Sequence, residues 1–136
     1  MTDAIDIVVC GAHMRDLPLN WQLLERDAVF RESVLTADCY RFYALPGGPP
    51  FRPGLVRVNF GCGEHDGGKI EAEIWSLPAE RWGDFIALIP SPLAIGSVLL
   101  DDGRSIKGFV CEAFATVGAK DITAMGSWRQ FLHQLG

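Results

Sequence analysis

The segment Ile7-Val8-Val9-Cys10 has no polar interruption and ends at Gly11. A strand with one wet face alternates apolar and polar residues, whereas a strand covered on both faces need not. The run therefore predicts a strand inside a sheet, packed above and below. Gly11 lacks a Cβ, so the backbone there can turn sharply or approach another group closely. His13 then sits in a loop leaving a rigid strand end, a common setting for a working side chain. Loop histidines without a role are also common, so this segment alone does not decide the matter.

Further elements follow from periodicity. Leu19 to Arg26 has helical spacing, with Leu19, Leu23 and Leu24 on one face. Ala28 to Leu35 and Cys39 to Leu45 read as strands, and Thr36-Ala37-Asp38 between them reads as a hairpin loop. Pro46-Gly47-Gly48-Pro49-Pro50 must be loop. Leu55 to Phe60 alternates and predicts a half-buried strand. Lys69 to Leu77 predicts another, with Ile70, Ala72 and Ile74 on one face and Glu71, Glu73 and Trp75 on the other. Pro78 suits the first turn of a helix over 79–89, whose apolar stripe is Trp82, Phe85, Ile86 and Ile89. Val98 to Leu100 and Ser105 to Ala113 flank the turn Asp101-Asp102-Gly103 and read as a hairpin. A last helix covers Ser127 to Gln134. Residues 5–115 are expected to form one mixed sheet or barrel. The fold class is α+β, a small mixed β-barrel or sheet with a few short helices, in one domain spanning 1–136.

Composition narrows the function classes. A 136-residue chain that is 49% hydrophobic can build a core. Its net charge of -5 argues against nucleic-acid binding, which usually needs a basic face. No apolar run reaches the length of a membrane span. Asp3 and Asp6 fall where a signal peptide would be basic or apolar, so a cytoplasmic protein is expected. Cys10, Cys39 and Cys111 lie in or beside apolar runs and are expected to be free core thiols. Cys62 lies in Gly61-Cys62-Gly63-Glu64-His65-Asp66-Gly67-Gly68, where four glycines in eight residues predict a flexible turn rather than a metal site. His13, His65 and His133 are in separate segments, so neither a metal nor another cofactor is expected.

Six separated blocks in one order carry a family resemblance. They are Cys10-Gly11-Ala12-His13-Met14 with Leu17-Pro18-Leu19-Asn20; Cys39 to Pro50; Pro53-Gly54-Leu55-Val56-Arg57; Glu73-Ile74-Trp75-Ser76-Leu77-Pro78; Lys107-Gly108-Phe109-Val110-Cys111-Glu112; and Gly118 to Thr123. The chain resembles the C-terminal domain of allophanate hydrolase, and more distantly the gamma-glutamyl cyclotransferase-like fold. The resemblance implies metal-independent decarboxylation of N-carboxycarbamate, or a related N-carboxylated compound, after an amidase has acted. It also implies that His13 is the catalytic residue. No Ser-Ser-Lys amidase triad region is present, so this segment should not hydrolyse allophanate itself. Asp84 to Pro90 is apolar where a cyclotransferase would carry its acidic base.

The residue types suit that chemistry. A carbamate loses carbon dioxide once its nitrogen is protonated, and a histidine can deliver the proton. The small dicarboxylate-like substrate needs donors, which amides of Gly11, Ala12, His13 and Met14 could supply. Arg41, Arg57 and Lys107 are candidate cations, and Tyr40 is the candidate ligand-binding tyrosine; each could equally belong to a solvated face or the core. Glu71 and Glu73, two apart on one strand face, read as solvated rather than as an acid–base pair. Trp21, Trp75, Trp82 and Trp128 read as packing residues. The alternatives to a decarboxylase are a non-catalytic anion-binding or amidase-accessory domain and a cyclotransferase-like enzyme. The expected macromolecular partner is a separately encoded amidase, and a homodimer stays open.

Overall fold

The computed structural model describes residues 3–60 and 66–136. Its larger sheet has five strands in the order β2 (Val29–Leu35), β5 (Glu71–Pro78), β1 (Ala4–Val9), β7 (Ser105–Cys111) and β6 (Leu93–Leu99). β1 is the central strand, which explains its unbroken apolar run. Ile7, Val8, Val9 and the following Cys10 are all buried. β1 runs antiparallel to β5, with Ile7 opposite Trp75, and parallel to β7, with Val8 opposite Gly108. The sheet is therefore mixed.

The smaller sheet has the order β4 (Pro53–Arg57), β3 (Tyr40–Ala44) and β8 (Lys120–Asp121). Thr36-Ala37-Asp38 is consequently not a hairpin loop. The chain crosses between sheets there: buried Thr36 donates its amide to Ile70 O, and its hydroxyl accepts from Ile70 N. Ala37 N reaches Leu99 O at 2.9 Å. The architecture is two packed sheets rather than a closed barrel, and both line one apolar core that includes Ile7, Tyr40, Phe42, Leu55, Ile74 and Leu77. β6 and β7 form the expected hairpin, beginning earlier than the sequence suggested.

The helices are short. α1 is Asn20–Leu24, α2 is Trp82–Ile86 after a 3₁₀ turn at Ala79–Arg81, and α3 is Trp128–Leu135. The stripe expected over 79–89 holds for Phe85, which is buried, and for Trp82 and Ile89, which pack against the core. Ile86 faces solvent because the helix is only five residues long. Leu24 is likewise exposed, since neighbouring helical residues are about 100° apart and Leu23 already occupies the core-facing position. Trp21 is exposed, whereas Trp75 and Trp128 pack inside. Ser127 caps α3, its Oγ accepting from Gln130 N. The alternation over 55–60 fails past Arg57, where the β3–β4 ladder ends at Tyr40 opposite Arg57, and Phe60 is 82% exposed.

Candidate active site

The turn leaving β1 is fixed from several directions. Met14 N donates to Gly11 O at 3.1 Å, Leu19 N to Ala12 O at 2.8 Å, and the Asn20 side-chain amide to His13 O at 2.8 Å. A Cβ placed on Gly11 would lie 2.5 Å from Pro53 Cδ, so only glycine permits this approach to β4. The glycine serves a close contact, and its neighbour across that contact is a proline ring.

These restraints turn the His13 ring inward. It stacks on Phe109 with centroids 4.9 Å apart and meets Phe85 edge-on at 5.4 Å. Nε2 lies 2.6 Å from Gln22 Oε1. With that oxygen facing it, Nε2 carries the hydrogen and Nδ1 is the bare nitrogen of the neutral ring. His13 is 9% exposed. Burial brings its pKa down to about 4; the Gln22 bond opposes that shift and the Arg52 charge adds to it. The ring is thus neutral at pH 7. Burial takes His13 below the near-neutral range expected from the sequence.

A cavity of about 20 Å³ opens beside the ring, lined by Gly11, Ala12, His13, Arg52, Pro53, Leu93 and Phe109 among others. Arg52 and Leu93 also line an adjoining groove of about 550 Å³ walled by Pro46, Gly47, Gly48, Pro50, Pro92 and Phe114. Arg52 Nε is buried with no hydrogen-bond partner among the described residues. An orphaned charged donor in a cleft is costly unless something accepts from it. The amides of Ala12 and His13 also have no acceptor among the described residues.

Of the sequence candidates, Gly11, Ala12 and His13 meet at the cavity. Met14 does not: its side chain is in the core and its amide closes the turn on Gly11. Tyr40 is fully buried, and its hydroxyl accepts from Leu99 N at 2.9 Å, tying the two sheets together. Arg41 pairs with Asp121 at 3.0 Å. Arg57 donates to the carbonyls of Asn59 and Phe60, and Lys107 to Ser97 Oγ. Strand alternation could not show where these cations point relative to the His13 turn. Arg52 and Gln22 escaped the sequence reading. Arg52's only signal is its place just before Pro53, the residue seated on Gly11.

Glu73 is not on a solvated face. β5 is covered on both sides, and Glu73 is 2% exposed. Among the described residues no group of three His, Cys, Asp or Glu side chains could hold a metal ion. Cys62 and His65 lie outside the described residues. Cys10, Cys39 and Cys111 are free, buried thiols, and burial pushes Cys10 up to about 12. No described helix is long and apolar enough to cross a membrane.

The chain matches the allophanate hydrolase C-terminal domain over residues 5–133. It is 42% identical over 133 residues to urea amidolyase of Lachancea kluyveri, covering 96% of this chain and 7% of that protein. Allophanate hydrolase of Kluyveromyces lactis superposes with a TM-score of 0.92 at 40% identity, covering 98% of this chain and 22% of that one. The E. coli protein c4763, described as specific to uropathogenic strains, superposes with a TM-score of 0.86 at 32% identity and 98% coverage of both chains. A gamma-glutamyl cyclotransferase, 8% identical with a TM-score of 0.56, shares the fold alone. Mixed sheets with short helices in this arrangement form an α+β, gamma-glutamyl cyclotransferase-like fold. Matched along almost its whole length, the chain belongs to the allophanate hydrolase C-terminal domain family.

Proposed function

We propose that this domain decarboxylates N-carboxycarbamate, or a similar small N-carboxylated anion, supplied by an amidase acting on allophanate. Arg52 carries the reading: a cation whose buried Nε has no hydrogen-bond partner among the described residues lies beside a buried histidine, and a carboxylate would satisfy it. The relatives that contain this domain within urea amidolyase and allophanate hydrolase support a place in urea-nitrogen metabolism. Three buried free thiols suit a cytoplasmic setting.

The low pKa of His13 shapes the mechanism. A dianion at Arg52 neutralises the charge that disfavours imidazolium and adds negative charge beside the ring. Substrate binding therefore brings a proton onto Nδ1, the nitrogen not committed to Gln22. That proton passes to the central nitrogen as its bond to the departing carboxylate breaks. One carbon dioxide leaves and carbamate remains. Arg52 and the loop amides hold the retained carboxylate.

The cavity of about 20 Å³ accommodates about one water molecule and shares Arg52 and Leu93 with the adjoining groove, so a dicarboxylate would approach Arg52 from the groove. The test couples the chain to an amidase that generates N-carboxycarbamate and follows carbon dioxide release over the unaided decay. Malonate, a stable mimic, tests the anion site separately. Binding of malonate without any acceleration would favour the accessory anion-binding reading.

A further inference from the structure

Glu73 belongs to the buried charges that the mechanism does not use. It sits in β5 directly opposite Val9, the last residue of β1. Its side chain reaches past the turn to Arg15: Oε1 accepts from Arg15 N at 2.9 Å and Oε2 from Arg15 Nε at 3.1 Å. One residue thus grips both ends of the loop between Val9 and Arg15, the loop that carries His13. Trp75 Nε1 donates to Oε1 at 3.1 Å, and Arg129 donates to Oε2 at 2.8 Å from α3.

Four donors around two oxygens suit an ionised carboxylate and no neutral side chain of the same shape. Burial alone would raise the Glu73 pKa. The hydrogen bonds from Arg15, Trp75 and Arg129 outweigh it and keep the carboxyl below the usual carboxylate range. A glutamine here would turn an NH₂ group toward a guanidinium or the Arg15 amide.

We propose that Glu73 is a positioning residue, setting where the β1 turn ends and so holding the His13 ring against Phe109 in the cavity. The inference rests on the reading of His13 as the working group, but its structural part is measurable without activity. A purely structural Glu73 would stabilise the fold and leave the ring where it is. Arg129 provides the contrast, since it reaches the same carboxylate from α3, where it also pairs with Glu71, and has no hydrogen bond or ion pair to the turn among the described residues.

The experiment is NMR of the histidine ring signals in the full chain, with His13 assigned by its loss in His13→Asn. Glu73→Gln should move the His13 signals away from their Phe109-stacked positions. It should also raise the His13 midpoint by about one unit or more toward the ordinary 6.5. In the coupled assay its kcat should fall by about 10–100-fold, the scale expected for displacement by an ångström. Arg129→Met should lower the melting temperature and leave both His13 readouts unchanged. If Glu73→Gln does not fold, Glu73→Asp carries the same test, because it retains the charge and withdraws the oxygens from Arg15. Wild-type His13 signals and midpoint in a folded Glu73 variant would overturn the proposal, as would an equal shift in Arg129→Met. Wild-type protein without decarboxylase activity would remove the proposed function and leave this test intact.

Discussion

His13 Nε2 and Gln22 Oε1 lie 2.6 Å apart, one from the turn after β1 and the other from α1. This bond fixes which ring nitrogen is free. It links a buried neutral imidazole to a half-buried amide in a site whose formal charge comes from Arg52.

His13 makes stability depend on pH. Its folded pKa of about 4 lies below the unfolded value near 6.5, so the unfolded chain takes up the proton first as pH falls. The stability contributed by keeping the ring neutral is fully present above pH 6.5 and drains away between 6.5 and 4. That loss amounts to about 3 kcal/mol. Urea unfolding at pH 7 and pH 4.5 should show a smaller fall for His13→Asn than for wild type.

Arg52 should bind the anion and depress His13. Arg52→Gln removes a cation that disfavours imidazolium, so the His13 midpoint should rise. Malonate affinity should fall by roughly 10–100-fold, the loss expected for one charge-assisted hydrogen bond. Titration calorimetry measures the affinity, and NMR the midpoint. In wild type at pH 7, malonate binding should also take up a proton, seen as a heat that varies with buffer ionisation enthalpy.

The residues that the structure draws away from the cavity should behave as structural ones. Tyr40→Phe leaves the half-buried Leu99 amide without its acceptor and should cost about 0.5–1.5 kcal/mol of stability. Arg41→Ala, Arg57→Ala and Lys107→Ala should leave malonate binding unchanged in the same calorimetric assay.

Gly11→Ala brings a Cβ to within 2.5 Å of Pro53 Cδ, part of a rigid ring that cannot swing aside. Overpacking of this kind costs about 1–3 kcal/mol. A matching drop in unfolding free energy, with displaced His13 ring signals, is the expected result.

The central strand and the glycine turn were legible because burial on two faces and a missing Cβ leave local marks in the residues; that His13 turns inward was not, because it depends on Phe85, Phe109 and Gln22 from other elements. The hairpin β6–β7 was legible through its Asp-Asp-Gly turn. The path after Thr36 was not, because a three-residue break looks alike whether the chain turns back or crosses between sheets. Glu73 read as solvated because alternation says nothing about what covers the second face of β5. Arg52 and Gln22 reach His13 through tertiary contact, from 39 and 9 residues away in sequence, and neither spacing has a periodic signature. The pKa of His13 follows from its burial between Phe85 and Phe109, which composition cannot reveal.

In the proposed mechanism His13 delivers the proton for decarboxylation. The most direct measurement is carbon dioxide release from amidase-generated N-carboxycarbamate, corrected for spontaneous decay, with wild type beside His13→Asn. General acid catalysis is worth about 10²–10⁴-fold, so wild type should exceed the background and His13→Asn should lose about that factor in kcat while still binding malonate. Equal rates from the two proteins would rule out His13 as the proton donor, and a wild-type rate no faster than the unaided decay would rule out decarboxylation of this substrate.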